Sequence, residues 1–200
     1  MIISAIIIGI ILILLFSVMG IYNRLVTLNN RVKNAWGQID VQLQRRYDLI
    51  PNLVETVKGY MEFEKSTLEA VINARTRGMA AREEIQKTGG TPTDASIKEI
   101  VGAEATLSGG LGKIFALAEN YPQLRSTENM QQLQEELRST ENKVAFSRQS
   151  YNDQVMLYNT AQEQFPTVIF ASMFGHKPAA LFQIESEEAK KSVKVAFTHQ

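Results

Sequence analysis

Residues 2–21 read IISAIIIGIILILLFSVMGI, an apolar run without a charged side chain. A helix rises about 1.5 Å per residue, so this run would span roughly 30 Å, the thickness of the hydrocarbon core of a bilayer. A helix suits that environment because it satisfies its own backbone polar groups. The run therefore predicts a transmembrane anchor over residues 1–21.

A cleaved signal peptide is the alternative interpretation of the same run. Signal peptides have a basic N-terminal region, a shorter apolar core and a small-residue cleavage site. Here no Lys or Arg precedes the run, and residues 17–20 (SVMG) make a poor cleavage site. An uncleaved, single-pass anchor is therefore favoured. Arg24, Arg31 and Lys33 follow the span, and this small positive excess favours a cytoplasmic C-terminal body.

The composition beyond the span indicates a helical body with few interruptions. Acidic and basic residues balance at 21 each, which excludes a chain-wide basic field for nucleic acid. The absence of cysteine excludes disulfides and thiolate metal sites. Ser96 followed by Glu99 is a candidate capping box. Gly and Pro predict helix breaks at residues 89–92 (GGTP), 120–122 (NYP) and 165–166 (FP), with a softer break at 109–112 (GGLG).

Between these breaks, apolar residues recur close to every seventh position, which is typical of coiled coils and four-helix bundles. One series begins at Tyr22, and another connects Met130 to Phe165. The predicted fold class is all-α, with a transmembrane helix followed by an antiparallel four-helix-type bundle of long helices over residues 22–165. An apolar, then charged tail follows over residues 166–200. The first helix should continue from the bilayer into the body, with a bend or break near Pro51.

The predicted body helices have unequal lengths, about 100 Å over residues 22–86, 40 Å over 93–118 and 60 Å over 126–165. These lengths suggest that part of the stripe from Met130 to Phe165 is left uncovered, which favours homo-oligomerisation through the body. A monomer in which the first and last long helices cover each other is the competing interpretation. The apolar stretch 165–182 is expected to cap the bundle, or to contact a bilayer or a neighbouring protomer.

Motifs that carry chemistry are scarce. The two histidines, His176 and His199, both lie in the tail, and no metal-binding spacing occurs. Residues 109–113 (GGLGK) lack the first glycine and the final Ser or Thr of a phosphate loop. We therefore assign no catalytic, cofactor-binding or metal-binding residue, and we expect no cofactor.

The densest polar cluster is at residues 45–48 (RRYD). One interpretation is a solvated helix face on which Arg45 pairs with Asp48. Arg46, however, falls on the apolar stripe, and a buried arginine needs a carboxylate because an unpaired buried charge is costly. The candidate carboxylates are Glu64, Glu104 and Glu141.

Aromatic residues on the same stripes are interpreted as core or interface positions. Trp36 fits that role better than a ligand platform. Tyr22, Tyr151 and Tyr158 each precede an asparagine, which predicts a buried ring beside a hydrogen-bonded rim. The structural and interaction residues selected from the sequence are Trp36, Arg45, Arg46, Asp48, Pro51, Tyr151, Tyr158 and Phe165.

Seven stretches together resemble a known family. They are residues 36–55 (WGQIDVQLQRRYDLIPNLVE), 119–122 (ENYP), 133–137 (LQEEL) with 140–141 (TE), 148–152 (RQSYN) with 158–159 (YN), and 165–166 (FP). The chain resembles the LemA family of bacterial membrane-anchored helical proteins. The resemblance implies an antiparallel helical bundle after one N-terminal span, without an established enzymatic activity or cofactor. Some relatives belong to magnetosome membranes and others are linked to cell-envelope maintenance. The family commonly has Phe where this chain has His176.

Two classes of function follow from these observations. The first is a non-catalytic, oligomeric scaffold or adaptor of the bacterial cell envelope, anchored in the inner membrane. Its expected partners are the lipid bilayer, copies of itself and envelope quality-control proteins, and not nucleic acid. The second is a ligand-sensing or enzymatic bundle with a polar site around Arg46 and inward carboxylates.

Overall fold

The computed structural model describes residues 2–60 and 65–183. Within these residues the regular secondary structure is entirely helical, which confirms the predicted fold class. Glu64, His199 and the charged end of the tail, residues 184–200, lie outside the described residues. The helices are α1 (Ile2–Lys58), α2 (Lys65–Lys87), α3 (Asp94–Ala118), α4 (Pro122–Arg125), α5 (Glu128–Glu163) and α6 (Thr167–Ala171).

Helix α1 is one uninterrupted helix of 57 residues, about 85 Å long. Its apolar first part contacts little of the protein, and the first fully buried side chain is Leu25. The predicted continuity from the apolar run into the body is therefore confirmed. A break at Pro51 is wrong, because the exposed proline lies within the helix, which continues to Lys58. The bend expected there stays a prediction.

Two helices are long and apolar enough to cross a membrane by length and composition, α1 and α3. They differ in their surroundings within the protein. A third of the apolar window of α3 is buried in the bundle, whereas none of the window of α1 is buried. The apolar side chains of α3 are therefore partly explained by the protein core, and those at the start of α1 are not.

The chain reverses direction between α1 and α2, and this reversal was not predicted. Tyr47 of α1 lies against Gly78 of α2, and Asp40 bonds Arg82, so residue numbers fall on one helix as they rise on the other. The predicted single helix over residues 22–86 is therefore wrong. Gly59, next to the end of α1, is the sequence signal that could have indicated the turn.

The remaining long helices alternate in direction in the same way. Arg77 of α2 pairs with Glu99 of α3, while Val71 lies beside Gly110. Helices α1 and α5 make the most extensive packing, with Arg45 near Glu136 at one level and Trp36 against Tyr151 at another. The result is an up-down-up-down four-helix bundle, α1–α2–α3–α5.

Local signals explain most helix ends. The predicted break at residues 89–92 is confirmed, and Gly89 and Gly90 adopt positive φ angles of 87° and 75° that suit glycine. The cap of α3 differs from the prediction. Thr93 is the N-cap and exchanges hydrogen bonds with Ser96, because Ser96 is the third residue of the helix rather than its cap.

The glycines at 109–112 do not interrupt α3, so the predicted softer break is wrong. Gly110 instead permits close packing of α2 on α3. An added Cβ would lie 2.5 Å from Val71 Cγ2. Here glycine provides space between helices, while the surrounding helix keeps its hydrogen bonds.

The apolar stripe of α5 is covered within one chain. Met130, Leu137, Val144, Tyr151 and Tyr158 are all buried, and α1 provides most of their cover. This contradicts the inference that part of the stripe is left uncovered. The first and last long helices cover each other, as the competing interpretation expected. Phe165, the last member of the series, is exposed.

The described part of the tail packs on the bundle. After α6 the chain turns at Gly175, whose φ is +74°, and continues without regular secondary structure. We name residues 176–183 the strap. Its Phe182 is buried and stacks on Trp36 with ring centroids 6.3 Å apart. The prediction that the tail caps the bundle is confirmed for these residues.

Candidate functional site

Arg46 occupies a buried polar cluster where α1, α3 and α5 meet. The residue is 2% exposed. Its Nη1 donates to Glu104 Oε2 at 2.9 Å, and its Nη2 donates to Ser108 Oγ at 2.9 Å. Glu141 Oε1 lies 3.9 Å from Nη2. The prediction that Arg46 faces inward and pairs with a carboxylate of another helix is confirmed, with Glu104 as the principal partner.

The electrostatics of this cluster follow from its burial. Burial raises the pKa of Glu104 above its ordinary value, and the guanidinium of Arg46 opposes that shift. Burial, reinforced by the charge of Glu104, also raises the pKa of the neighbouring Tyr47 phenol. Tyr47 therefore remains a neutral hydroxyl, and the charge of Arg46 is what compensates Glu104.

A pocket of about 270 Å³ opens beside the cluster. Its lining includes Arg46, Glu104, Ser108, Glu141 and Arg148. In this cluster Arg46 Nε is buried without a hydrogen-bond partner among the described residues, whereas the Tyr47 hydroxyl and the Glu104 carboxylate interact with each other. Such an unpaired atom is usually satisfied by water or by a ligand. The arrangement can hold a small polar molecule, and it presents no activated nucleophile.

A second polar network, which was not predicted from the sequence, joins α1 to α2. Arg82 Nε donates to Asp40 Oδ1 at 2.7 Å, and its Nη1 bonds Gln44 Oε1. The guanidinium also lies 5.9 Å from the ring centre of Tyr47. Helical spacing could have identified Arg82, because it lies four residues after the buried Gly78 and eleven after Val71.

The Tyr-Asn pairs of α5 bind the backbone of the strap. Asn159 accepts from the amide of Ala179 at 2.9 Å and donates to its carbonyl at 3.0 Å. Asn152 makes the equivalent pair with Phe182, at 2.8 and 3.1 Å. The two asparagines thus satisfy backbone groups that lie outside any helix. The sequence had indicated a polar rim here, but not its partner.

The tyrosines of these pairs complete the strap contacts. Tyr151 Oη donates to the carbonyl of Ala180 at 2.8 Å, and burial raises the pKa of this phenol, which keeps it a donor. Tyr158 Oη lies 2.9 Å from His176 Nδ1, and the two rings meet edge to face. Burial lowers the pKa of His176. The predicted burial of these two tyrosine rings is confirmed, whereas the same prediction for Tyr22 is wrong, because that side chain is exposed.

The residues selected from the sequence do not converge on one site. Trp36 and Tyr151 meet edge to face with centroids 5.9 Å apart, while Arg46 belongs to the polar cluster. The predicted Arg45–Asp48 pair is wrong, because Arg45 reaches Glu136 on α5 at 3.6 Å, and Asp48 accepts from Gln44. Pro51 and Phe165 are exposed at separate places.

Metal chemistry finds no support in the geometry of residues 2–60 and 65–183. In that part of the chain, no three His, Cys, Asp or Glu side chains converge in a manner that could hold an ion. The buried polar groups form ion pairs and backbone contacts that join helices. These sites join α1 to α2 and α3 and hold the strap on α5.

Comparison with known proteins finds similarity to magnetosome proteins. The chain is 27% identical over 175 residues to "Magnetosome protein MamQ 2" and to "Magnetosome protein MamQ 1", both of Paramagnetospirillum magneticum. It is 25% identical over 174 residues to "Magnetosome protein MamQ" of Magnetospirillum gryphiswaldense. These matches cover 80–81% of this chain and 64% of each relative, so the chain spans less than two thirds of their length.

The family comparison agrees with the motifs read from the sequence. The model described as "LemA family" matches residues 35–197, which include α1 from Ala35 onward, all later helices and the strap. Because this match covers most of the chain, the protein belongs to the LemA family.

Proposed function

We propose that this protein is a non-catalytic, single-pass scaffold or adaptor of the bacterial cell envelope, anchored in the inner membrane by the start of α1. The observation that carries the proposal is the continuity of α1. Its exposed apolar part and the residues that build the core belong to one helix without a linker. A bilayer supplies the environment that those exposed apolar side chains need.

This geometry suits a protein that positions others rather than one that reacts. Arg46 and Arg82 join α1 to α3 and α2, and the strap joins α5 to α1 through Phe182 and Trp36. A stiff bundle continuous with its anchor presents its surfaces in a fixed orientation to the membrane. The magnetosome relatives are consistent with a role at membranes, and we carry over only that general role.

The proposal includes self-association. Because the stripe of α5 is covered, a different surface has to supply the contact between copies. Val41 and Phe146 are large, apolar and exposed. The contacts Arg45–Glu136 and Trp36–Tyr151 bracket them, which places both at the same level of the α1–α5 pair. Copies confined to one membrane meet at high effective concentration, so small apolar contacts count. Envelope quality-control proteins are the further partners that we propose.

Alkaline extraction of membranes from cells expressing the full chain tests the anchor. We expect the full chain to stay in the pellet and a variant lacking residues 1–21 to be released. Release of the full chain would contradict the proposal. Orientation is tested separately in intact spheroplasts, where a membrane-impermeant maleimide should not label Glu135→Cys if the body is cytoplasmic. The natural chain contains no competing cysteine.

A ligand-sensing bundle is the second candidate function, and one observation favours it. Arg46, whose buried Nε has no partner among the described residues, lines with Glu104 and Ser108 a pocket that could admit a small polar molecule. Native mass spectrometry of the full chain, purified in detergent from its natural membrane, distinguishes the candidates. A stoichiometric small molecule that is lost in Glu104→Gln would favour sensing, and an unmodified mass would favour the scaffold.

A further inference from the structure

We propose that α6 is a second membrane contact, which inserts its apolar face into the lipid interface beside the anchor. We define the α6 face as Phe165, Val168, Ile169 and Met173. The inference rests on the proposed function, because it assumes that the start of α1 spans a bilayer. It adds a lipid-binding surface on the body itself, at the far end of the sequence from the anchor.

The chain direction brings α6 back to the anchor. Helix α5 runs antiparallel to α1, from the level of Arg45 at Glu136 to the level of Trp36 at Tyr151. Its C-terminal end therefore returns to the end of the bundle from which the apolar run emerges. There Phe174 meets Tyr22 edge to face with centroids 5.1 Å apart.

The contact between Phe174 and Tyr22 fixes the position of α6 along the axis of α1. Tyr22 is the first residue after the apolar run, and Arg24 is the first charged residue of the chain. If the run fills the hydrocarbon core, α6 lies where hydrocarbon gives way to headgroups. Apolar faces of interfacial helices enter this zone to a depth of about 5–10 Å.

The surface of α6 has the chemistry of such a zone. Thr167 and Ala171 are buried toward the bundle, whereas the α6 face points away, with Phe165 81% and Met173 74% exposed. No charged residue occurs from Gln164 to His176, and exposed Lys177 follows directly. Arg24 and Lys177 are the first charged residues after the two apolar segments, where basic side chains can meet lipid phosphates.

The segment is also held in place from both sides. Upstream it continues from the end of α5, and downstream Gly175 turns the chain into the strap. His176 contacts Tyr158, and Asn159 binds both backbone groups of Ala179. The apolar face is thus presented by a fixed element. Lipid fits this face better than a protein partner, because α6 packs on α1 through the contact of Phe174 with Tyr22, directly after the exposed apolar run of the anchor.

Fluorescence quenching by nitroxide-labelled lipid tests the inference in the full chain. Single cysteines at Ile169 and Val168 carry an environment-sensitive fluorophore, and the chain has no native cysteine to interfere. Leu12→Cys reports the span, and exposed Glu135→Cys at the opposite end of α5 reports solvent. In phosphatidylcholine nanodiscs, spin labels placed high on the acyl chain should quench residues 169 and 168, while residue 135 keeps its emission.

Each outcome has a distinct meaning. Quenching at residue 12 without quenching at 169 and 168 would overturn the α6 contact and leave the anchor intact. Absence of quenching at residue 12 would overturn the anchor and the inference with it. Emission at 169 that shifts only in discs with two copies, without lipid quenching, would assign the face to a second copy and overturn the lipid contact.

A substitution pair keeps the test specific. Met173→Glu should reduce lipid quenching at residue 168, because it places a charge on the α6 face. Met156→Glu changes an exposed methionine of α5, outside the α6 face, and should leave the quenching unchanged. Circular dichroism confirms that both variants fold. Equal quenching in the two variants would contradict insertion of this face.

Discussion

Arg46 shows how one buried charge joins three helices. Replacing it with alanine leaves Glu104 buried without its guanidinium, a change that typically costs about 3–5 kcal/mol. Arg45 is the matched control, because its side chain is 54% exposed and its pair with Glu136 contributes at most about 1 kcal/mol. We expect Arg46→Ala to lower the free energy of unfolding in detergent much more than Arg45→Ala. Equal effects of the two substitutions would contradict this account.

The double variant Arg46→Met, Glu104→Leu separates charge from packing. It removes both members of the pair, so no buried charge remains without a partner, and apolar replacement of such pairs is often tolerated. We expect this double variant to unfold at a higher denaturant concentration than Arg46→Ala. A lower midpoint than Arg46→Ala would show that the pair itself, rather than the abandoned carboxylate, determines stability.

Gly78 is the second residue with a local and testable role. A Cβ at this position would overlap the Tyr47 hydroxyl, because α1 and α2 approach closely there. Overpacking of this kind costs about 1–3 kcal/mol, so Gly78→Ala should lower the melting temperature. Gly37→Ala meets no atom within 4 Å and should be neutral or stabilising. Adding Tyr47→Phe to Gly78→Ala should restore part of the loss, and an unchanged loss would contradict the proposed clash.

At the scale of elements, the strap depends on two asparagines spaced seven residues apart. Each exchanges two hydrogen bonds with one strap residue, and each bond contributes about 0.5–1.5 kcal/mol. Asn152→Ala should therefore accelerate hydrogen exchange at the amide of Phe182 while the α2 amides stay protected. Asn152→Asp keeps the acceptor for that amide and should retain more protection. Simultaneous loss of protection throughout the bundle would contradict a local role.

His176 makes the same element sensitive to pH. Burial lowers its folded-state pKa, so on acidification the unfolded chain binds a proton before the folded chain does. Stability is therefore complete above the unfolded pKa of about 6.5 and falls as the pH drops through it toward the folded value. Asp94 and Lys177 line the same pocket as His176, and both are unchanged in the His176→Phe variant that is compared with the parent. His176→Phe should unfold with less pH dependence between about pH 7 and 5, and an unchanged profile would contradict the assignment.

Helix periodicity predicted the buried faces better than the partners of those faces. The stripe through Trp36 and Arg46 and the breaks at residues 89–92 and 120–122 were evident, because burial and turn chemistry are local properties. The reversal after Lys58 was missed, since an apolar repeat can continue on both sides of a turn. Packing of the tail on the bundle was predicted, but the hydrogen bonds that hold the strap were not, because they use backbone atoms of Ala179 and Phe182, which have no sequence signature.

At the scale of the whole molecule, the pairing of α1 with α5 changes where copies of the chain would meet. The stripe from Met130 to Tyr158 is covered within the chain, so a cysteine at Leu137 should not cross-link to another copy. The exposed Val41 and Phe146 lie at one level of the α1–α5 pair and form the expected contact.

We therefore expect Phe146→Cys to form cross-linked dimers in native membranes and Leu137→Cys to form none. Val41→Glu should reduce the cross-linking at residue 146, because a charge in a small apolar contact is left without a partner, while the melting temperature stays close to that of the parent. Ile72→Glu is the matched control, since Ile72 is also exposed but belongs to α2. Cross-linking at Leu137 would place the contact between copies on the stripe of α5 instead. An absence of cross-linking at both positions would favour a single tethered copy.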